Sequence, residues 1–362
     1  MLTDAIDLST IRRVLVIKLR HHGDVLLTSP LLSVLKNHAP HVEIDALVYQ
    51  DTQEMLSLHP AIGNIFCVDR AWKKLGLLKR LGYEIRLIKA LRNRRYDLLI
   101  HLTENPRGPW LARLLHPRFS VAREFTRKRG KLWRNSFSHL YRLPARPRHT
   151  VEQHLDALRR LGIYPGQDER RLVLVSGVEA ENDIRQLLEQ HGLHNKGFIH
   201  LHPTSRWLFK CWEVDKYAAL IDALQDMGQR VVITAAPSKP EMELVRKIKI
   251  KLSRAVVDFS GQLNLKQLSA LTAQAKCFVG VDSAPMHIAA AMQTPIVALF
   301  GPSGELEWGP WQVTSRVLTS QHPCRPCGLD GCGGGKVSEC LSTLAVAEVL
   351  SAVRQIINES EL

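Results

Sequence analysis

Residues 277–304 read CFVGVDSAPMHIAAAMQTPIVALFGPSG. The segment opens on a short apolar run, Cys277 to Val281, with the length and composition of a buried strand. Asp282 and Ser283 interrupt it, and a helix-like run of small residues follows from His287 to Met292. A second apolar run, Pro295 to Phe300, ends in Gly301-Pro302-Ser303-Gly304. The order is strand, polar turn, helix, strand, polar turn, which is the pattern of a parallel α/β sheet. In such a sheet ligands bind beyond the carboxyl ends of the strands, where both polar turns fall. Ser283 is placed to cap the helix, with Pro285 in its first turn. The free N–H groups of a helix start suit an anion, most naturally a phosphate. Strand–helix turns are common in any α/β protein. The conjunction of Asp282, Ser283 and His287 on one turn face makes this one a candidate site.

The same alternation extends in both directions. Near the start, Arg13–Lys18 reads as a strand, residues 19–24 as the loop at its carboxyl end, and Val25–Asn37 as a helix with Leu27, Leu31, Val34 and Leu35 inward. The loop has one glycine, not the three of a dinucleotide fingerprint. Further strands are expected at 43–49, 64–68 and 97–102, then at 172–175, 198–202, 230–235 and 255–259. Helices are expected at 150–161, 179–191, 214–227, 239–252, 265–275 and 343–358. Gly162-Ile163-Tyr164-Pro165-Gly166 marks the junction. Two successive βα halves imply two Rossmann-like, doubly wound domains facing across a cleft: residues 1–165, residues 166–341, and a last segment, 342–362, able to cross back onto the first.

The chain has 362 residues and net charge +14. Residues 1–165 carry 29 Lys/Arg against 14 Asp/Glu, whereas residues 166–362 carry 20 against 21. The excess concentrates between Arg70 and Arg148, with 22 basic and 4 acidic residues. Nucleic acid, an anionic membrane surface and a phosphorylated glycan are the polyanions such a field attracts. Within it, Leu78, Leu81, Ile85 and Ile88 fall on one helical stripe surrounded by basic residues. A core face packed on the sheet is the simpler reading, and a basic amphipathic surface on anionic lipid the sharper one. Residues 123–134 (REFTRKRGKLWR) read as a surface loop, being too basic for a core element. No apolar run spans a membrane and the N-terminus lacks the regions of a signal peptide, so a cytoplasmic location is expected.

Strand-end loops supply the chemistry. The first half offers Lys18, Arg20, His21, His22 and Asp24. The second offers His202 to Arg206, Lys210, Trp212, Glu241, Asp282, Ser283 and His287. Thr204, Ser205, Arg206 and Lys210 after an apolar strand form a phosphate grip of hydroxyl donors, one fork and one point charge. Asp24 is a carboxylate available as general base, or a helix N-cap ahead of Val25. The sequence has no Asp-x-Asp; Glu43-Ile44-Asp45 lies inside a strand. Leaving-group charge therefore falls to cationic side chains and helix ends, with no metal expected. Cys324, Cys327, Cys332 and Cys340 lie in a Gly-rich loop and are read as reduced thiols, a metal site being the alternative.

Three segments, IKLRHHGDVLLTSPLL (17–32), LHPTSRWLFKCW (201–212) and VGVDSAPMHIAAAMQTPIVALFGPSGELEWGPW (279–311), resemble the ADP-heptose:lipopolysaccharide heptosyltransferases, glycosyltransferase family 9. The tail HPCRPCGLDGCGGGKVSECL (322–341) resembles the heptosyltransferase III branch more than I or II. The likeness spans nearly the whole chain. It implies an enzyme of GT-B fold that transfers heptose from ADP-heptose with inversion, without a cofactor. The implied acceptor is a heptose of the phosphorylated lipopolysaccharide inner core, at the cytoplasmic face of the inner membrane. By motif, Asp24 matches the base, and Lys18, Arg20 and His22 fall on the acceptor side. Thr204, Ser205 and Lys210 match diphosphate contacts, with Arg206 counted on the donor side; Asp282, Ser283, Ala284 and His287 match the heptose and phosphate loop. Leu263 falls where an apolar residue packs on adenine. Glu241, or Glu243, falls near a ribose-binding carboxylate. The charge split fits an anionic acceptor on the first domain. Rival readings are acceptor specificity of the heptosyltransferase II type, a nucleotide-sugar epimerase on the same fold, and a basic nucleic-acid binder. Against the last, Trp72, Tyr83, Trp110 and Trp133 do not form a stacking series with the basic residues.

Overall fold

The computed structural model describes residues 4–125 and 130–360, with the backbone alone at Ser360. The chain divides into two units, Met1–Val173 and Leu174–Leu362. The first is built from β1 (Arg13–Lys18), α1 (His22–Leu26), α2 (Ser29–His38), β2 (Glu43–Tyr49), β3 (Ile62–Val68), α3 (Leu77–Asn93), β4 (Leu98–His101), α4 (Arg107–Leu115), β5 (Phe119–Arg123), α5 (Lys131–Arg134), β6 (His139–Tyr141) and α6 (Thr150–Arg159). Its sheet is parallel throughout, in the order β3-β2-β1-β4-β5-β6. The order reverses between β1 and β4, so the loops after Lys18 and His101 open at a switch point.

The second unit repeats this plan with α7 (Val178–Gln190), β7 (Phe198–His202), α8 (Val214–Asp226), β8 (Arg230–Ile233), α9 (Lys239–Lys251), β9 (Val257–Asp258), α10 (Leu265–Gln274), β10 (Cys277–Val281), α11 (Ala284–Ala291), β11 (Ile296–Phe300), α12 (Glu305–Trp308), β12 (Ser315–Thr319), α13 (Glu339–Ser342) and α14 (Val346–Ser360). The order is β12-β11-β10-β7-β8-β9, again parallel, with the reversal between β7 and β10. Alternate residues build two cores. Ile199, Leu201, Val231, Ile233, Cys277 and Val279 face the layer that includes α8 and α14. Phe198 and Val232 face α7 and α10. The last helix thus packs on its own unit's sheet.

Several expectations need correcting. Residues 172–175 pair with no strand; Leu172 and Leu174 are buried, and the Val173 N–H donates to Ser29 Oγ at 2.9 Å. The helix expected at Val25–Asn37 is two, broken between Leu26 and Ser29, though its four apolar residues are buried. Strands β5, β6 and β12 were not anticipated, being short and flanked by charge. The basic stretch 123–134 is not all surface loop. Arg123 ends β5, and Trp133 in α5 is buried, its indole donating to the Arg123 carbonyl at 2.9 Å; residues 126–129 lie outside the described residues. Three of the four stripe residues on α3 do not form a core face: Leu78 is 84% exposed, Leu81 51% and Ile85 56%, while Ile88 packs half-buried against the core. Leu87 and Leu91 are the residues that anchor this helix.

Asp45 shows what the unused carboxylate pair in β2 does. It is fully buried, accepting from Arg94 Nε and the Tyr96 hydroxyl, both at 2.8 Å, and from Asn64 N at 3.0 Å. Burial, then the bond to Asp45, pushes the Tyr96 phenol far above its ordinary value. Removing this acceptor leaves several donors buried without a partner. Asp45→Ala is expected to cost the first unit about 3–5 kcal/mol, read as a lower urea midpoint in its unfolding transition.

Candidate functional site

In the first unit the site begins with Lys18, the last residue of β1. Its strand is buried on both faces, and the residue is only 6% exposed. It donates to the Leu102 carbonyl at 3.2 Å and meets His154 Nε2 at 2.9 Å. His154 Nδ1 lies 3.0 Å from the Leu27 carbonyl, a bond only a protonated nitrogen can make. Nε2 is then the bare nitrogen and accepts from Lys18. Burial, then the Lys18 charge, holds His154 well below its ordinary value, so it stays neutral. Two of the three ammonium protons are thereby committed, and the third direction holds the Asp24 carboxylate.

Asp24 lies inside the first turn of α1. The N-cap is His21, so the capping alternative for Asp24 does not hold. Its Oδ1 sits 3.7 Å from Lys18 Nζ and 3.6 Å from Arg20 Nε. Among the described residues nothing hydrogen-bonds its other oxygen, which is free to take a proton. Arg20 is exposed at its side chain, while its carbonyl accepts from Arg70 Nη2 at 2.8 Å. The His22 imidazole is spent on the Asp51 carbonyl at 2.7 Å. Lys18, Arg20 and Asp24 therefore form one cluster and His22 stands at its edge.

In the second unit, β7 ends at His202 and β10 at Val281, side by side at the switch point. Lys210 Nζ donates to Asp282 Oδ2 at 2.6 Å, joining the two loops. Ser283 occupies the N-cap of α11 but makes no capping bond, and its buried Oγ has no partner among the described residues. Pro285 removes one N–H from that helix start. The Ser283 hydroxyl is then the group left to meet an anion, and an oxyanion there would satisfy a donor whose burial otherwise costs about 1–3 kcal/mol. His287 is buried on α11 and Ala284 begins that helix.

A buried polar chain supports the other side. Thr204 has one hydroxyl proton, and it goes to Glu241 Oε2 at 2.8 Å. The 3.2 Å contact of Thr204 with His202 Nε2 then requires the proton to sit on the ring. Thr234 Oγ1 lies 2.8 Å from His202 Nδ1 and 2.7 Å from His200 Nε2, and burial lowers His202 to about 3. Ser238 Oγ holds the second Glu241 oxygen at 3.0 Å. Glu241 reaches the loop, whereas Glu243 pairs with Arg246 on the surface. Ser205 is buried and accepts from Trp207 N at 3.3 Å. Arg206 points outward beside the Trp207 ring. Leu263 packs half-buried against the core that includes Phe259.

Sequence reasoning missed His154 and Thr234. His154 left one signal, a polar residue on the buried stripe of Val151, Leu155 and Leu158 in α6. The cysteines are free thiols, and among the described residues no three His, Cys, Asp or Glu are placed to hold a metal ion.

Paired parallel sheets of this order, each with charged loops at its switch point, place the chain in the GT-B class. Residues 84–337 match the model of glycosyltransferase family 9 (heptosyltransferase). Lipopolysaccharide heptosyltransferase 3 of Escherichia coli (strain K12) is 35% identical over 294 residues, covering 81% of this chain and 83% of that protein. A solved family 9 glycosyltransferase from Veillonella parvula superposes with a TM-score of 0.84 at 24% identity, over 99% of this chain and all of that one. The E. coli ADP-heptose lipopolysaccharide heptosyltransferase II structure gives 0.76 at 21%, over 97% and 100%. The chain belongs to glycosyltransferase family 9, and it is an enzyme of that class.

Burial lowers the Lys18 ammonium to about 8, with Asp24 opposing the shift and Arg20 adding to it. The unfolded chain then binds more protons than the folded one between about 8 and 10.5, so this group's contribution to stability rises with pH through that window. The effect is on the order of 3 kcal/mol. Lys18→Met should therefore stabilise relative to wild type more at pH 7 than at pH 10, measured as the difference in urea-unfolding free energies.

Proposed function

We propose that this chain moves L-glycero-D-manno-heptose from ADP-heptose to a heptose of the lipopolysaccharide inner core, adding the third heptose with inversion. The observation that carries the reading is the Lys18–Arg20–Asp24 cluster: one carboxylate oxygen held between two cations, the other open. An acceptor hydroxyl placed there gives its proton to Asp24 while its oxygen attacks the anomeric carbon. The bond from that carbon to the diphosphate oxygen breaks, and ADP leaves with the electron pair. Lys210, Ser205 and the Ser283 hydroxyl meet the developing diphosphate charge, Thr204 spends its hydroxyl proton on Glu241 beside them, and Asp282 and His287 orient the sugar. Glu241, braced by Thr204 and Ser238, takes the ribose hydroxyls, with Leu263 against adenine. The 35% identity to a lipopolysaccharide heptosyltransferase 3 supports the choice of donor and acceptor, and the basic first half supports an anionic acceptor handled at the cytoplasmic face of the inner membrane.

With ADP-heptose and a panel of truncated core acceptors, wild-type protein should release ADP only in the presence of an acceptor already carrying two heptoses. The product should gain one heptose by mass. Asp24→Ala should lower that rate by about 100- to 10,000-fold, with donor binding by calorimetry unchanged. Transfer to an acceptor with one heptose would assign second-heptose specificity instead. Turnover of the donor without acceptor would favour an epimerase. A near wild-type rate for Asp24→Ala would remove it as the base.

A further inference from the structure

Helix α3 is held to the first unit unevenly along its length. Its carboxyl half is held by Leu87 and Leu91 in the core and by Glu84, bound at both oxygens by Arg107 at 2.6 and 2.7 Å. Its amino half carries large apolar side chains into solvent: Leu77 is 79% exposed and Leu78 84%, with Leu81, Ile85 and the preceding Leu75 exposed as well. At 100° per residue, Leu77, Leu81, Ile85 and Leu78 fall within one 100° arc, and Leu87 and Leu91 fall outside it. Ile88 falls in the same arc and packs half-buried against the core, so the arc is open to solvent over the amino half of the helix alone.

Charge selects the occupant. Between Lys73 and Arg95 the sequence has nine Lys/Arg and one acid, Glu84, which is spent on Arg107. A second copy of this surface would meet it with like charge. An apolar arc flanked by lysines matches a bilayer whose headgroups are anionic, apolar side chains entering the acyl boundary and ammonium groups staying at the phosphates.

The segment is also tied to the acceptor loop. Arg70, at the head of the turn leading into α3, lies 3.7 Å over the Tyr49 ring, pairs with Asp51 at 3.1 Å and donates to the Arg20 carbonyl at 2.8 Å. Strands β1 and β3 run parallel, so both segments leave the same edge of the sheet. From these observations we infer that the amino half of α3 docks on an anionic lipid bilayer and presents the Asp24 loop to an acceptor embedded in it. The inference rests on the proposed reading only in what the acceptor is; the docking itself is independent of transfer.

The test is flotation with vesicles of phosphatidylethanolamine and phosphatidylglycerol, against vesicles of phosphatidylcholine, at salt from about 0.1 M to about 0.5 M. Wild type should float with the anionic vesicles alone and be released by salt. Combined Leu77→Ser, Leu78→Ser, Leu81→Ser and Ile85→Ser should weaken partitioning by about tenfold or more, at an unchanged urea midpoint because these side chains are exposed. Combined Lys73→Ala, Lys74→Ala and Lys79→Ala should weaken it by about 100-fold. On a water-soluble, acyl-free acceptor the serine variant should release ADP at the wild-type rate, and on vesicle-embedded acceptor it should fall at least tenfold. Absence of binding by wild type, equal binding to neutral vesicles, or full binding by the serine variant would overturn the inference. So would a wild-type dimer that the serine variant converts to monomer, since a second copy would then cover the face. If no ADP is released with any acceptor while docking behaves as described, the functional reading fails and the docking stands.

Discussion

The candidate site of the second unit depends on a close approach between two strands. Gly280 in β10 pairs with His202 in β7, and a Cβ there would lie 2.7 Å from the Phe278 ring and 3.0 Å from the His202 carbonyl. Without that atom the strands leave the sheet side by side at the point where strand order reverses. The loops they feed are then near enough for Lys210 to reach Asp282 at 2.6 Å. His202 faces inward for the same reason. Fixed in a buried strand, it hands its ring proton to Thr204 and lets that hydroxyl serve Glu241. A single register thus sets the positions of a cation, a carboxylate and a hydroxyl from separate elements.

The first unit solves a harder version of the problem, because its strand ends in a buried cation. An ammonium at this depth is tolerated only with its protons accounted for. A carbonyl, a neutral imidazole and a carboxylate surround Lys18, each supplied by a different element. His154 can play its part only while uncharged, which burial enforces. The arrangement spends stability to hold a charge beside Asp24, a cost that core packing of β1 does not need and a polar strand end does.

The sheet was legible because buried parallel strands read as continuous apolar runs; β2, β7 and β10 fall where the sequence places them. Strands β5 and β6 escaped because five and three residues carry no period, and the arginines around them read as loop. The site was legible as residue types at strand ends. Its wiring was not. That Thr204 answers to Glu241, or that His154 holds Lys18, depends on separations of 37 and 136 residues that no local pattern records. Helix α3 marks a different limit. An apolar arc repeats every 3.6 residues whether a sheet or something else covers it, and Leu81 and Leu87 look alike in sequence.

The two units share a strand order yet differ in charge, +15 against −1. Those facts belong to separate levels of the molecule. Strand order follows from buried residues, which must match a sheet and two helix layers, and both units meet that demand with the same aliphatic set. Exposed positions carry no such demand, so their charge can follow the partner instead. A sheet of this order would fold equally well with a neutral surface. The basic excess in one unit, which runs from Arg70 to Arg148, is therefore best read as a property of what that unit meets.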